Sequence, residues 1–364
     1  MEVGEHVHLF ATSACNLNCR YCFGPDTQYK TAPGLPAIAE ILAANGVKMV
    51  TVGGGEPLLA KELEETLIIL KEKGIYVSLH TNGILLTNKR IAELSGLVDD
   101  IGLPIDTVIE DAQMTLRSEG FRKTFRRIFG IAKKIRENGI DVGWHTVFVN
   151  KNKDIIPELY EHLSREPFKY WRIYEFNRYL ALQRHAKAGT RQIEKLESII
   201  DCGTEEKGYI DSTFAQFLLV ENKMSRHNDR RVQFVVLRDE KPPYIFVEPD
   251  GEVRHYLWYS GKERKSLGNI FRDDFGSMTS KAGYDSENPW DWQNEWDDAL
   301  WSVPLFARLW EGAYWPIELE KVKDEHWAPF LEMAEIFTRR HLLLAGMSEK
   351  KAASEARKMI KLFQ

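Results

Sequence analysis

Short apolar runs alternate with longer amphipathic stretches from the start of the chain to about residue 200. A short apolar run bounded by turn residues is typical of a buried strand, and an apolar period of about 3.6 residues is typical of a helix packed against it. The pattern predicts strands at residues 6–12, 47–53, 76–80, 99–103, 141–149 and 170–176. It also predicts helices between them, for example at residues 39–45, 60–73 and 121–138.

Repeated strand and helix units of this kind build an α/β fold around a parallel sheet. Six units fit a partial barrel, but periodicity alone equally allows an open, doubly wound sheet. In both arrangements the chemistry gathers where strands end and helices begin. The residues that directly follow each predicted strand are therefore the first candidates for a functional site.

The alternation stops near residue 205, so we predict residues 1–205 as the first domain. Strands are then predicted at residues 231–237, 244–247 and 252–256, the last two joined by a turn at Pro249-Asp250-Gly251. These strands define a small β-rich extension over residues 206–285. A basic patch at residues 223–231 fits either a solvated helix end or a contact with phosphate or substrate.

A helical C-terminal region is predicted over residues 286–364, which contain seven of the ten tryptophans. The region fits either a packed appendage over the first domain or an aromatic surface for a sugar, a base or a partner. Its last predicted helix, residues 348–363, starts at a serine cap and carries one apolar face. The seven tryptophans are Trp290, Trp292, Trp296, Trp301, Trp310, Trp315 and Trp327.

Composition narrows the class of protein. Hydrophobic residues make up 43% of the 364 residues and charged residues make up 28%, which is ordinary for a globular chain. The sequence shows no apolar run of about eighteen residues and no signal peptide. The net charge of −5 argues against a nucleic-acid partner. We therefore expect a soluble, cytoplasmic protein with neither a membrane nor a nucleic acid as partner.

Three of the four cysteines lie within eight residues, at Cys15, Cys19 and Cys22. A structural zinc site takes four protein ligands, whereas an iron-sulfur cluster held by three thiolates keeps one iron open for a small molecule. Cys202 is far away in the sequence, so the spacing favours such a cluster. A zinc knuckle and a metal-free loop with reactive thiols remain the alternatives. Thiolates that bind iron also require a reducing compartment.

The spacing of the cysteines, CxxxCxxC with Tyr21 before the third, resembles the signature of the radical S-adenosylmethionine (SAM) superfamily. The resemblance implies a partial (β/α)6 barrel and one oxygen-sensitive 4Fe-4S cluster on Cys15, Cys19 and Cys22. It also implies that SAM binds to the open iron. A reduced cluster then cleaves SAM to a 5'-deoxyadenosyl radical, which abstracts hydrogen from an organic substrate. An external electron donor of the flavodoxin or ferredoxin type would supply the electron.

Further motifs follow in the order in which the superfamily carries them. Gly54, Gly55 and Glu56 resemble its GGE motif, in which a carboxylate holds the amino group of SAM. A Thr-Asn-Gly segment at residues 81–83 and a segment opening a helix at Arg117 match positions that contact SAM. Relatives often carry Ser-x-Asp where this chain has Pro104 and Asp106. The implied SAM-binding residues are Tyr21, Gly54, Gly55, Glu56, Thr81, Asn82, Asp106 and Arg117.

Substrate residues are expected on the last two strands of the barrel. Strand alternation places Trp144 and Thr146 on one face of the fifth strand, and Arg172 and Tyr174 on one face of the sixth. We predict that these four side chains face the substrate, and Arg172 is either a paired structural residue or a binding group for an anion. No general base is assigned, although His80, His145 and Glu175 lie near strand ends.

Two subgroups of the superfamily offer hypotheses about the substrate. Residues 5–180 loosely resemble the viperin-like nucleotide dehydratases, although Trp144 and Thr146 replace a lysine and an asparagine of that group. Residues 244–271 resemble the C-terminal extension of SPASM-type peptide-modifying enzymes, but His255 and Tyr256 stand where that extension has cluster-binding cysteines. We therefore expect a single cluster and a small polar molecule as substrate. A nucleotide or a peptide substrate is the alternative, and a non-catalytic metal-binding protein is the third class.

Overall fold

The protein is built around a largely parallel sheet. The computed structural model describes residues 5–19, 21–22, 34–174, 220–221, 223–224, 226–235, 244–254, 266–282, 335 and 347–361. Within these ranges the sheet has ten strands in the order β10-β9-β8-β1-β2-β3-β4-β5-β6-β7. The strands are β1 (His6–Thr12), β2 (Met49–Gly54), β3 (Tyr76–His80), β4 (Asp100–Pro104), β5 (Asp141–Val147), β6 (Tyr170–Tyr174), β7 (Val232–Val235), β8 (Tyr244–Val247), β9 (Glu252–Arg254) and β10 (Ser266–Asn269). The six strands predicted for the barrel are therefore β1 to β6.

Helices connect the strands, as the apolar periodicity predicts. In the described part of the chain they are α1 (Leu35–Ala44), α2 (Leu63–Glu72), α3 (Asn88–Leu94), α4 (Glu110–Leu116), α5 (Arg122–Phe125), α6 (Ile128–Glu137), α7 (Ile156–Leu163), α8 (Phe275–Ala282) and α9 (Glu349–Lys361). Buried apolar side chains recur on one side of each long helix, for example Ile128, Ile131 and Ile135 in α6. The continuous helix predicted at residues 121–138 is wrong, because α5 ends at Phe125 before α6 begins.

Neighbouring strands β1 to β6 all pair in parallel. The strands predicted for the extension continue this sheet at both sides, because β7 pairs in parallel with β6 and β8 pairs in parallel with β1. Strands β8, β9 and β10 are joined by antiparallel pairing. The extension therefore supplies sheet edges on each side of the six-stranded core.

The two faces of the sheet differ in chemistry. One face is aliphatic and lies under the helices, as the contacts of Phe129 in α6 with Trp144 and of Tyr160 in α7 with Trp171 show. We call the opposite side the inner face. It carries histidines, tyrosines and an arginine instead of aliphatic residues. Successive side chains of a strand point to opposite faces of the sheet. The strand register therefore determines which residues lie on the inner face and which lie under the helices.

The chain divides into two compact units. The first comprises Met1–Val147, Asp154–Ile199 and Arg230–Trp290, and it contains the whole sheet. The second comprises Phe148–Lys153, Ile200–Asp229 and Asp291–Gln364. In the second unit, α9 buries Ala352 and Ala356. The seven tryptophans, Cys202, Glu175, His255 and Tyr256 lie outside the described residues, so their predicted roles stay predictions.

Membrane insertion finds no support in the helices. Within the described ranges, no helix combines the length and the apolar character that crossing a bilayer requires.

Candidate active site

The loop with the three cysteines begins where β1 ends, at the carboxyl edge of the parallel sheet. Cys15 is exposed, and Cys19 and Cys22 are partly exposed; none of the three is in a disulfide bond. The loop is held by short-range bonds: the Cys22 amide donates to the Cys19 carbonyl at 3.2 Å, and the Leu17 amide donates to the Cys15 sulfur at 3.4 Å. The thiols are therefore presented together at the edge where α/β folds bind their ligands.

Two glycines lock this loop against the end of β2. The Gly55 amide donates to the Thr12 carbonyl at 2.7 Å, and the Glu56 amide donates to the Ala14 carbonyl at 2.8 Å. A Cβ atom on Gly54 would overlap the Thr12 carbonyl oxygen, and one on Gly55 would overlap the Ala14 carbonyl oxygen. The glycines therefore allow a close approach between two backbone segments. Sequence reasoning expected them to make room for a ligand.

Glu56 is a fully buried carboxylate with neutral partners. Its side chain accepts hydrogen bonds from the Thr81 hydroxyl at 2.6 Å and from the amides of Asn82 at 2.8 Å and Leu58 at 3.2 Å. No lysine, arginine or histidine in the described ranges forms an ion pair with it. Burial raises its pKa above the usual range, although the three donors oppose this effect. A buried carboxylate that lacks a cation fits the ammonium group of an amino acid.

The Thr-Asn-Gly turn after β3 ties Glu56 to the cysteine loop. Thr81 and Asn82 both donate to the Glu56 carboxylate, and the Asn82 side chain donates to the Asn16 side chain at 2.6 Å. Gly83 has a φ of 78°, which a residue with a side chain rarely adopts. The structure thus brings three predicted motifs, the cysteines, GGE and Thr-Asn-Gly, into one connected site.

Asp106 organises a second buried network beside the cysteine loop. Its carboxylate accepts hydrogen bonds from the Tyr21 hydroxyl at 2.7 Å, from Arg117 Nε at 2.7 Å, from the Gln113 side chain at 2.9 Å and from the Val147 amide at 2.9 Å. Asp106 is 0% exposed. These contacts make it a positioning residue for Tyr21 and Arg117.

The segment 116–121 leads into the next helical stretch, as predicted, and Arg117 itself lies just before it. Arg117 caps the C-terminus of α4, and a short 3-10 turn, Glu119–Phe121, follows it. Its guanidinium lies 5.3 Å from the Tyr21 ring centroid and 5.4 Å from that of Phe121. The charge of Arg117 is balanced by the carboxylate of Asp106.

Within the cysteine loop, the thiol of Cys19 has a strongly shifted pKa. Burial raises the pKa of its thiol to about 12, and the nearby Arg117 guanidinium opposes this rise. The thiol is therefore protonated at neutral pH, and iron must displace the proton when it binds. Burial likewise raises the pKa of Tyr21 well above its usual range, so its hydroxyl stays a hydrogen-bond donor to Asp106.

The donor set fits an iron-sulfur cluster better than a zinc ion. Among the residues the structure describes, no three side chains of His, Cys, Asp or Glu converge so that one metal ion could bind them together. In a 4Fe-4S cluster each cysteine binds a different iron, so three thiols on one loop need not converge on one point. Three cysteines and one open iron match such a cluster, whereas a structural zinc site takes four protein ligands.

Two of the predicted substrate residues lie on the wrong face of the sheet. Trp144 is 2% exposed and Thr146 is 0% exposed, and both point towards the helices. The Thr146 hydroxyl donates to the Ile105 carbonyl and accepts from the Trp171 indole at 2.8 Å. The prediction that Trp144 and Thr146 face the substrate is therefore wrong. These residues belong to the face of β5 that lies under the helices, and not to the inner face.

The inner face of β5 and β6 instead carries His145, Arg172 and Tyr174. His145 lies opposite Arg172 in the parallel register, and its ring stacks on that of Tyr174 with centroids 5.5 Å apart. Sequence reasoning named His145 only as a residue near a strand end. Its pairing with Arg172 could have been found by placing both strands in register with the polar residues on one side.

The fold and the site together define an α/β protein with a three-cysteine loop at the carboxyl edge of a parallel sheet. Residues 9–163 match the family model described as the Radical SAM superfamily. These residues carry a radical SAM domain, in agreement with the resemblance of the sequence motifs, and the known proteins that match it are enzymes. The superfamily uses a 4Fe-4S cluster and SAM.

Known proteins with similar sequences carry different activities. The chain is 27% identical over 224 residues to a GTP 3',8-cyclase of Chlorobaculum tepidum, which covers 56% of this chain and 67% of the relative. It is 28% identical over 156 residues to an S-adenosylmethionine-dependent nucleotide dehydratase of a Thermoplasmatales archaeon, which covers 42% of this chain and 55% of the relative. The match therefore spans about half to two thirds of these relatives.

A solved structure supports the fold. Streptococcus suis SuiB, crystallised with its precursor peptide SuiA, superposes with a TM-score of 0.58 at 14% sequence identity. The superposition covers 79% of this chain and 65% of SuiB. The predicted mixed α/β fold with a parallel sheet is confirmed. At this level of identity the likeness concerns the fold and not the substrate.

Proposed function

We propose that this chain binds one 4Fe-4S cluster on Cys15, Cys19 and Cys22 and binds SAM beside it for radical chemistry on an organic substrate. The observation that carries the proposal is Glu56, a buried carboxylate with only neutral partners. Its backbone is hydrogen-bonded to the residue before Cys15. This placement fits a ligand that presents an ammonium group while it contacts an iron of the cluster.

The protein groups around the ligand have distinct roles in this proposal. Glu56 binds the ammonium group of SAM, and Thr81 and Asn82 hold the carboxylate of Glu56 in place. Gly54 and Gly55 keep this turn against the cysteine loop. Arg117 uses Nη1, the guanidinium nitrogen that does not donate to Asp106, to attract the carboxylate of SAM. Tyr21, which lies between Cys19 and Cys22 in the sequence, packs its ring against the Arg117 guanidinium and so keeps Arg117 beside the cysteine loop.

The bound cluster supplies an electron that cleaves SAM into methionine and a 5'-deoxyadenosyl radical able to remove a hydrogen atom from the substrate. The residues of the inner face position the reacting C–H bond and exclude water. We propose a small polar molecule as substrate and an external donor of the flavodoxin or ferredoxin type as electron source. A nucleoside triphosphate is the second candidate, since two curated relatives are named for reactions of nucleotides. A peptide is the third, by analogy with SuiB.

Anaerobic reconstitution tests the proposal. The purified chain is supplied with iron and sulfide, reduced with dithionite and given SAM. We expect an absorbance band near about 400 nm, as in iron-sulfur proteins, and formation of 5'-deoxyadenosine measured by mass spectrometry. Nucleoside triphosphates and short peptides are then added separately, and the substrate class is the one that stimulates this product. A reconstituted chain that binds iron and sulfide but never cleaves SAM would contradict the proposal.

Replacing Glu56 with glutamine tests the ammonium site. The amide keeps nearly the same shape, but it removes the negative charge and one acceptor for the Thr81, Leu58 and Asn82 donors. A hydrogen bond to a charged group contributes about 1.5–3 kcal/mol, so we expect SAM to bind about 10- to 100-fold more weakly. Equilibrium dialysis with labelled SAM measures the dissociation constant, and iron content should stay at the wild-type value.

The matched control is Glu65→Gln, which changes an exposed carboxylate on α2. It should leave the dissociation constant unchanged. The pH dependence gives a second check. Since burial raises the pKa of Glu56, lowering the pH protonates it and should weaken SAM binding in the wild type, whereas E56Q should lack this loss. Equal SAM affinities of E56Q and the wild type would exclude Glu56 as the ammonium ligand.

A further inference from the structure

The inner face of the sheet is built in layers along the strands. At the amino ends of the strands, the Asp100 carboxylate accepts hydrogen bonds from the hydroxyls of Tyr76 at 2.5 Å, Ser78 at 2.5 Å and Tyr170 at 2.8 Å. Lys169 donates to Tyr76 at 2.5 Å and to Asp141 at 2.7 Å. Lys169 and Asp141 form an ion pair, and the Asp100 carboxylate is satisfied by three hydroxyl donors, so the polar groups of this lower layer are hydrogen-bonded.

The next layer, towards the cofactor site, has unmet polar groups. His80 in β3 and His145 in β5 have ring centroids 4.0 Å apart. The Nε2 atom of each ring is buried and has no hydrogen-bond partner among the described residues. A buried nitrogen without a partner costs stability, so its retention is typical of a binding site. His80 directly precedes the Thr-Asn-Gly turn that holds Glu56, so this layer lies directly below the proposed SAM site.

Arg172 adds a charge that forms no ion pair among the described residues, although the Asp100 carboxylate of the lower layer stabilises it at longer range. Its Nε donates to the Gln233 side chain at 3.1 Å, and its guanidinium lies 4.2 Å from the Tyr170 ring centroid and bonds to Tyr174. Tyr170 and Tyr174 are neutral, because burial raises the pKa of each hydroxyl. A partly buried guanidinium with only neutral partners attracts an anion.

The imidazoles are neutral partners of this cation. Burial lowers the pKa values of His80 and His145 well below the usual range, and the charge of Arg172 lowers both further. A neutral imidazole carries its hydrogen on one of its two ring nitrogens, so each ring has one N–H donor. Two N–H donors and a guanidinium in one layer match the acceptor oxygens of a phosphate or a carboxylate.

Glycines make room for these rings. A Cβ atom on Gly102 of β4 would overlap the His145 ring, and one on Gly143 of β5 would overlap the Tyr170 ring. Each ring thus leans over a glycine of the preceding strand. This arrangement holds both imidazole rings in the layer. His80 and His145 each remain partly exposed.

We propose that the inner layer, defined as His80, His145, Arg172 and Tyr174, binds an oxyanion of the substrate. Arg172 supplies the charge, and the two imidazoles supply N–H groups. This inference rests on the proposed function, because it places the substrate anion below the SAM site and the rest of the substrate towards Glu56 and the cysteine loop. The oxyanion is a phosphate or a carboxylate, and the experiment below distinguishes the two.

The test measures anion binding apart from SAM cleavage. The reconstituted full-length chain with SAM is titrated with inorganic pyrophosphate in one series and with succinate in another, in an uncharged buffer, and heat of binding is recorded. We expect one of the two probes to bind. Arg172→Gln and His145→Gln should each weaken that binding by at least about tenfold. Arg172→Lys, which keeps the charge, should retain more of the binding than Arg172→Gln.

Matched controls use residues of the same types on the outside of the sheet, an exposed arginine and a partly exposed histidine. Arg165→Gln changes an exposed arginine between α7 and β6, and His162→Gln changes a histidine on α7; both should bind the probe like the wild type. Dithionite-driven cleavage of SAM without substrate should persist in the two control variants, since their side chains lie outside the inner layer. Loss of SAM cleavage in the wild type would refute the proposed function and not the anion site.

Two results would overturn the anion site. One is that neither probe binds to the wild type at concentrations up to about 10 mM, well beyond the weakest affinities typical of specific sites. The other is that probe binding is the same in the wild type, R172Q and H145Q. If R172Q does not fold, as circular dichroism would show, the comparison of H145Q with H162Q decides the question.

Discussion

Replacing Cys19 with serine is expected to abolish both cluster binding and SAM cleavage. A serine hydroxyl is not ionised at neutral pH and is a poor ligand for iron, so the loop would keep only two thiolates. Removing a side chain that hydrogen-bonds to a metal ligand typically lowers activity by about 10- to 100-fold. Removing the ligand itself should lower activity by more than this. Iron and sulfide per chain, together with 5'-deoxyadenosine formed under dithionite, measure the effect. Cys15→Ser and Cys22→Ser should behave alike.

Cys202 provides the matched control, because it is the only cysteine outside the loop. Cys202→Ser should retain the wild-type iron content and the wild-type rate of SAM cleavage. If Cys202→Ser loses the cluster while Cys19→Ser keeps it, the assignment of the loop as the cluster site is refuted. Circular dichroism of each variant separates loss of the cluster from loss of the fold.

Replacing Asp106 with asparagine is expected to lower the free energy of unfolding by about 3–5 kcal/mol. The change leaves the Arg117 guanidinium, whose residue is 8% exposed, buried without its counter-charge. The carboxylate also accepts from Tyr21, Gln113 and Val147, and an amide nitrogen in place of either oxygen would face a donor. Urea unfolding of the chain without cluster measures the loss.

Asp111 is a suitable control for this experiment. Its side chain is 89% exposed and pairs with Arg122 at 2.8 Å, so Asp111→Asn should change the free energy of unfolding by less than about 1 kcal/mol. If D106N is as stable as D111N, the network around Asp106 does not support the fold. At temperatures where D106N is folded, it should also take up the cluster more slowly, since Tyr21 loses the partner that holds it beside the thiols.

Much of the core could be predicted from the sequence, because local patterns determine it. The bounds of β1 and β3 agree with the prediction, and the polar motifs after β1, β2 and β3 meet in the structure as parallel strands require. Each of these features depends on alternation or on turn chemistry within a few residues. The contact of Glu56 with Thr81 follows from two motifs at neighbouring strand ends.

Features that depend on distant partners could not be predicted in this way. The face of β5 was assigned wrongly, because Trp144 and Thr146 look like pocket residues until α6 and α7 are placed over them. The role of Asp106 required partners from residues 21, 113, 117 and 147 at once. The pairing of β7 with β6 and of β8 with β1 was likewise invisible to periodicity, since sheet order is not a local property.

The close fit of Gly54 and Gly55 against the cysteine loop affects how the protein acquires its cluster. Backbone hydrogen bonds from the GGE turn, together with the bond between Asn82 and Asn16, hold the loop without any contribution from metal. Much of the conformational entropy of the loop is therefore lost during folding and not during metal uptake. The cluster-binding loop should therefore be preorganised in the apoprotein. We expect the rate of cluster insertion to depend on deprotonation of the thiols and on the supply of iron rather than on a slow rearrangement of the chain.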